Sequence, residues 1–204
     1  MAATRPKPSL ARGLQQRLES FYRLEALPAV DDFARAANEG DREQVFVREA
    51  DEDVEVAVAL PAAGLAPPEG QLDLDTLCQV VEGVSHFVYL AECVRRGRPT
   101  TRLELELQAE VDKFVVLAFG ALARRDVGTV RAVHTSLYER VAFLHDAASE
   151  DGERYRLANG LAARLCARFR WPHAAAHGAR SGRETLVRFY REGQQDKIRL
   201  ARAA

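Results

Sequence analysis

The chain has 204 residues, 47% of them hydrophobic and 29% charged, with a formal net charge of −1. This is an ordinary composition for a soluble globular protein of one domain with a sizeable core. The near-neutral balance excludes a chain that acts as a polyelectrolyte along its whole length.

The charge is unevenly spread. Residues 30–75 hold thirteen Asp/Glu against three Arg, and residues 154–204 hold twelve Arg/Lys against three Asp/Glu. The two ends can attract each other, or the basic end can meet an acidic partner or nucleic acid. Three well-separated cysteines, Cys78, Cys93 and Cys166, form no Cys-x-x-Cys pair. They read as reduced thiols of a cytoplasmic protein, without a disulfide framework or zinc knuckle. No apolar run in the sequence approaches the length of a membrane span.

The first predicted element is an amphipathic helix from about Ser9 to Glu25, with Ser9 as N-cap and Leu10, Leu14, Leu18 and Phe21 on one face. Pro28 closes it. EQVFVRE (43–49) and VEVAVAL (54–60) then read as two strands of an antiparallel β-hairpin, turned through the acidic residues 50–53. Val56 and Val58 are expected to face helices, because a lone hairpin is marginal in water. PAAGLAPPEG (61–70) reads as a linker without helix.

From there the period is helical. Leu77, Val80, Val81, Val84, Phe87, Val88, Ala91 and Val94 form one stripe behind Asp73 or Asp75, stopped by Gly97 and Pro99. Thr101 and Glu104 have capping-box spacing and open a long helix from about Arg102 to Arg125. Further helices are predicted from about Gly128 to His145 and from Asp151 to Phe169. A loop, RWPHAAAHGARSG, follows. Ser181 and Glu184 then cap one basic last helix that runs past Leu200. The expected fold is mainly α. Residues 1–71 form a helix, a hairpin and a Pro/Gly linker packed on a bundle of about five helices over 72–204.

Three constellations carry candidate chemistry. Arg140 and His145 are separated by four residues. On a straight helix they diverge by about 140°, so they border one apolar stripe from opposite edges and share a site only if the helix breaks near Phe143 or the groove faces a second subunit. The spacing resembles the Arg…His motif of HEPN ribonucleases. That resemblance implies a helical, usually dimeric bundle cleaving RNA without metal, with Arg140 stabilising phosphate and His145 handling protons. Val141 stands where the family commonly has a polar residue, and the hairpin is not part of its usual pattern.

Glu82 and His86 share a helix face at i,i+4. An imidazole and a carboxylate on one turn can ligate a metal, and Glu106 and Glu110 can complete the set if their face turns inward. His173 and His177 are also four apart, but Pro172 and Gly178 flank them, so they read as loop. The last constellation is the basic C-terminal helix, with Arg183, Arg188, Arg191, Lys197, Arg199 and Arg202 around Phe189 and Tyr190, which suits nucleic acid or an acidic partner.

No P-loop, dinucleotide fingerprint or nucleophile elbow occurs. The sequence therefore leads to a cytoplasmic helical protein without catalysis of its own and without a cofactor. It would act through protein contacts as an adaptor, regulator or structural subunit, with a protein partner or a second copy and no membrane. A HEPN-like ribonuclease and a helical metal-binding protein are the alternatives.

Overall fold

The computed structural model describes residues 7–50, 53–170 and 178–203. The architecture is mainly α: among the described residues there are eight α-helices and a small three-stranded sheet. The first helix, α1 (Leu10–Tyr22), starts where Ser9 accepts a hydrogen bond from Arg12 N at 2.9 Å. It ends at Tyr22, sooner than Pro28 suggested, because Arg23 turns left-handed at φ 56° and its N–H closes on Glu19 and Ser20 carbonyls.

The sheet has three short strands, β1 (Ala34–Ala36), β2 (Gln44–Ala50) and β3 (Asp53–Leu60), in the order β1-β3-β2. The expected hairpin is β2–β3, antiparallel, with Val45 opposite Val58 and Val47 opposite Val56. The parallel strand β1 on the other edge of β3, with Ala34 opposite Val58, carries no sequence signal in its three residues. Alternation puts Val58 and Leu60 wholly into the core, with Val56 and Val45 partly buried against it. Full burial of each such side chain stabilises by roughly 1.5–3 kcal/mol.

One turn of helix, α2 (Ala62–Leu65), interrupts the expected linker. Its Pro61 lies just before the first turn, where a missing N–H costs nothing. The two central helices follow, α3 (Leu74–Arg95) capped by Asp73, and α4 (Arg102–Ala123) with the Thr101/Glu104 capping box formed. The sheet docks on α3 at Gly83, where a Cβ would collide with Leu60 Cδ2 and sit 3.3 Å from Val58 Cγ1. α3 is the one helix among the described residues long and apolar enough to cross a membrane, and 72% of that stretch is buried inside the protein.

The predicted helix 128–145 is shorter than its apolar spacing implied. α5 (Val127–His134) opens into a π-helical turn over Thr135–Glu139, where Arg140 N reaches Thr135 O. Residues 140–149 then cross back as open chain. Asp146 and Ser149 organise its end. Ala148 N donates to Asp146 Oδ1, Ser149 Oγ donates to Asp146 O, and Ser149 caps α6 (Glu150–Ala167). Val141 and Leu144, which continue the apolar spacing of Val130, Val133 and Leu137, are exposed, Leu144 by 69%, as is Val94 at the end of the α3 stripe.

The single basic last helix is two: α7 (Gly178–Arg191) and α8 (Gln194–Arg202), broken at Gly193. Ser181 lies inside α7 and is not its cap; its carbonyl accepts from Thr185 Oγ1. The bundle from residue 72 thus has six helices among the described residues, one more than expected. Buried side chains of α1, β3 and the bundle helices form one continuous core. Trp171, His173 and His177 lie outside the described residues.

Candidate metal centre

The face of α4 bearing Glu106 and Glu110 does turn inward. It meets Glu82 and His86 of α3, and both helices are covered there by α6 and by the chain entering β2. One ligand atom each from Glu82, His86 and Glu106 lies within 4.8 Å of the others. His86 Nε2 is 3.6 Å from Glu106 Oε2, close enough for charge attraction but beyond hydrogen-bond reach. Ligands bound at about 2.1 Å stand at most about 4.2 Å apart, so small side-chain rotations suffice to close the set on an ion.

Glu110, the fourth predicted ligand, is committed elsewhere. Lys113 Nζ donates to its Oε1 at 2.8 Å, and Asn159 Nδ2 to its Oε2 at 2.9 Å. The same ammonium lies 2.7 Å from Glu82 Oε2. Burial disfavours the Lys113 charge, but the two carboxylates hold its pKa well above the ordinary lysine value. Burial also opposes the Glu82 charge, and Lys113 with His86 outweighs it, so this carboxylate titrates low. A carboxylate has two oxygens, so Glu82 can keep Lys113 on Oε2 while Oε1 turns to a cation.

The cluster is only half satisfied. Eight buried side-chain atoms among the described residues have no hydrogen-bond partner, and four of them belong here: His86 Nε2, Glu43 Oε2, and Nε and Nη1 of Arg154. Arg154 is held by Asp151 at 2.7 Å and lies 3.7 Å from Glu106. Such orphans are rare in native cores and mark a place where a water, ion or ligand completes the bonding. The His86 imidazole, despite the burial that opposes its charge, is held above its usual pKa by Glu106 and Glu82.

Glu43 was missed by the sequence, where it is one acid within an acidic, β-prone run. It immediately precedes β2, and its side chain is only 8% exposed. Burial first, then the neighbouring Glu82, push its pKa up to about 8. Arg42, its nearest cation at 3.9 Å, turns instead toward Asp75.

Glu43, Glu82, Glu110 and Lys113 line a cavity of about 430 Å³. Val141, Phe143, Leu144 and Tyr155 supply its apolar wall. His145 is also on that wall, its ring stacked on Tyr155 at 5.1 Å. Arg140 is exposed and is not among the lining residues. The expected edge-of-helix geometry for this pair is replaced by an open segment that carries His145 to the cavity and leaves Arg140 outside it.

The C-terminal basic residues do not form one face. Lys197 is fully buried, bonded to Gln108 Oε1 at 2.6 Å and Phe189 O at 3.0 Å, so it is no contact for nucleic acid or an acidic partner. Arg183 donates to the carbonyls of Ser20 and Phe21 and satisfies the end of α1. Arg188, Arg191, Arg199 and Arg202 remain exposed, Arg199 beside Asp196 at 2.8 Å. Phe189 and Tyr190 are core residues and offer no stacking platform. Cys166 is buried with its thiol pushed up to about 12 by that burial, which rules it out as a thiolate nucleophile near neutral pH.

Comparison of the chain with protein families, with curated proteins and with solved structures found no match.

Proposed function

We propose that this chain is a helical metal-binding protein whose centre is Glu82, His86 and Glu106. The observation that carries the reading is the convergence of these three groups, from two adjacent helices, to within 4.8 Å at a cluster with orphaned polar atoms. One imidazole with two carboxylates suits a divalent transition ion such as Zn²⁺, Mn²⁺ or Fe²⁺, rather than Ca²⁺ or Mg²⁺ with their all-oxygen shells. Three protein ligands leave coordination positions open, which is the arrangement of sites that act on a ligand. The adjoining cavity supplies the room.

Metal analysis tests this reading. Protein stripped with chelator, equilibrated with Zn²⁺ or Mn²⁺ and desalted should retain one equivalent, and Glu82→Gln with His86→Ala should retain none. Wild-type protein that retains no ion removes the proposal.

A second reading, action through protein contacts, draws on β2. It is an edge strand with Phe46 and Val47 exposed by 43% and 47%. Such an edge is a template for pairing with a partner strand or a second copy. Val47→Lys should abolish any self-association seen by sedimentation. A monomer at all concentrations that captures no partner would remove this reading. A cytoplasmic location is part of the proposal, supported by three free thiols.

A further inference from the structure

We infer that Glu43 is a fourth ligand of the proposed centre, and that the segment entering β2 caps a bound divalent transition-metal ion. This rests on the metal-binding reading above.

Three observations carry it. First, Glu43 is a nine-tenths buried carboxyl whose Oε2 has no hydrogen bond and only the Arg42 guanidinium at 3.9 Å, on the wall of the cavity that Glu82 also lines. A buried carboxyl oxygen without a hydrogen bond is a position that a cation can satisfy. Second, the backbone brings it to the right helix turn. A Cβ placed on Gly83, beside Glu82, would stand only 3.6 Å from Glu43 Cβ.

Third, among Glu43, Glu82, Glu106 and Glu110, Glu43 has the most distant cation, Arg42 at 3.9 Å. Lys113 already serves Glu82 and Glu110, and Arg154 serves Asp151 with Glu106 beside it. Glu82 and Glu106 are each partly neutralised, so together they compensate less than two charges of an ion between them. Glu43 supplies the missing charge. It also supplies a ligand from a third element, which fixes the separation between the β2 entry and the α3–α4 pair.

The test uses the full chain with Co²⁺ and Zn²⁺ alone as probes. Zn²⁺ affinity is measured by chelator competition, and the Co²⁺ visible absorption reports the ligand field. Glu43→Gln should weaken Zn²⁺ binding by about tenfold or more and change the Co²⁺ spectrum, with a circular dichroism spectrum like wild type. Asp41→Asn, a change of equal charge on the same cavity wall, should leave the spectrum unaltered. Glu43→Gln with unchanged affinity and spectrum overturns the inference while Glu82→Gln still loses the ion. A matching spectral change in Asp41→Asn also overturns it, since the effect is then one of general charge. Wild-type protein that takes up neither ion overturns the inference together with the reading on which it rests.

Discussion

Where α1, α7 and α8 cover the α3–α4 pair, Asp112 accepts from Tyr22 at 2.5 Å, Ser85 at 2.6 Å and Gln108 at 2.9 Å. Lys197 joins through Gln108, its ammonium 4.2 Å from the Phe189 ring centre. None of these five polar side chains has an orphaned buried atom. Where α6 and the β2 entry cover the same two helices, Glu43, His86 and Arg154 leave four. Both clusters are buried, and both interrupt an apolar core. One closes on itself and ties four elements together. The other stays open beside a cavity. Burial of charge is common to both clusters; what separates them is the incomplete bonding beside a cavity, whereas the closed one leaves only the neighbouring Tyr190 hydroxyl unbonded.

The largest expected effect tests the closed cluster. Asp112→Ala leaves Tyr22, Ser85 and Gln108 without their shared acceptor and removes the carboxylate charge that most favours the buried Lys197 ammonium, and should cost about 3–5 kcal/mol in urea or thermal unfolding. Glu43→Gln removes a buried carboxyl whose one cation, Arg42, is 3.9 Å away, and should cost nothing or stabilise the metal-free protein. Equal losses in the two variants would erase the distinction.

The pH dependence of metal-free stability separates the clusters further. Glu43 titrates at about 8 in the folded state, above the ordinary carboxylate value of 4.5. The folded protein holds this proton where the unfolded chain has released it, so stability should fall as pH rises from about 4.5 to 8. Lys197 has the opposite sign. Burial lowers its folded pKa to about 7, below the ordinary 10.5, so stability should rise from about pH 7 to 10.5. Each slope is at most about 1.4 kcal/mol per pH unit. Glu43→Gln should flatten the first window and Lys197→Met the second. An unchanged profile in either variant refutes that assignment.

Gly83 sits at the join of sheet and site. Gly83→Ala should push Leu60 off α3 and cost about 1–3 kcal/mol, together with weaker metal binding. Undiminished stability would show that the strand yields freely there. The smallest effect is expected at His145. Its exposed ring stacks on Tyr155, so His145→Ala should cost no more than about 1 kcal/mol and leave metal binding intact. Chelator-resistant RNA cleavage abolished by Arg140→Ala or His145→Ala would instead favour a nuclease.

Much of this was legible in local chemistry. Ser9, Asp73 and the Thr101/Glu104 box set helix starts, and valine alternation set the hairpin. The Glu82/His86 pair and the inward option for Glu106 followed from helical spacing. Less could be read where tertiary contacts override period. Val141 and Leu144 continue an apolar stripe, yet the chain leaves the helix at a π turn to reach the Asp146/Ser149 turn before α6. Lys197 resembles the surface cations around it because its burial depends on α3, α4 and α7. Glu43 is one of thirteen acids in its region, and only the fold shows that it is buried with an oxygen that accepts no hydrogen bond.

Titration calorimetry with Zn²⁺ on chelator-treated wild type, Asp112→Asn and Glu82→Gln/His86→Ala tests the contrast between the clusters most directly. One equivalent should bind to wild type. Asp112→Asn should bind one as well, though it is less stable, and the double variant should bind none. Absence of Zn²⁺, Mn²⁺ and Fe²⁺ binding to wild type, or full binding by the double variant, would contradict the assignment of the open cluster as the functional site.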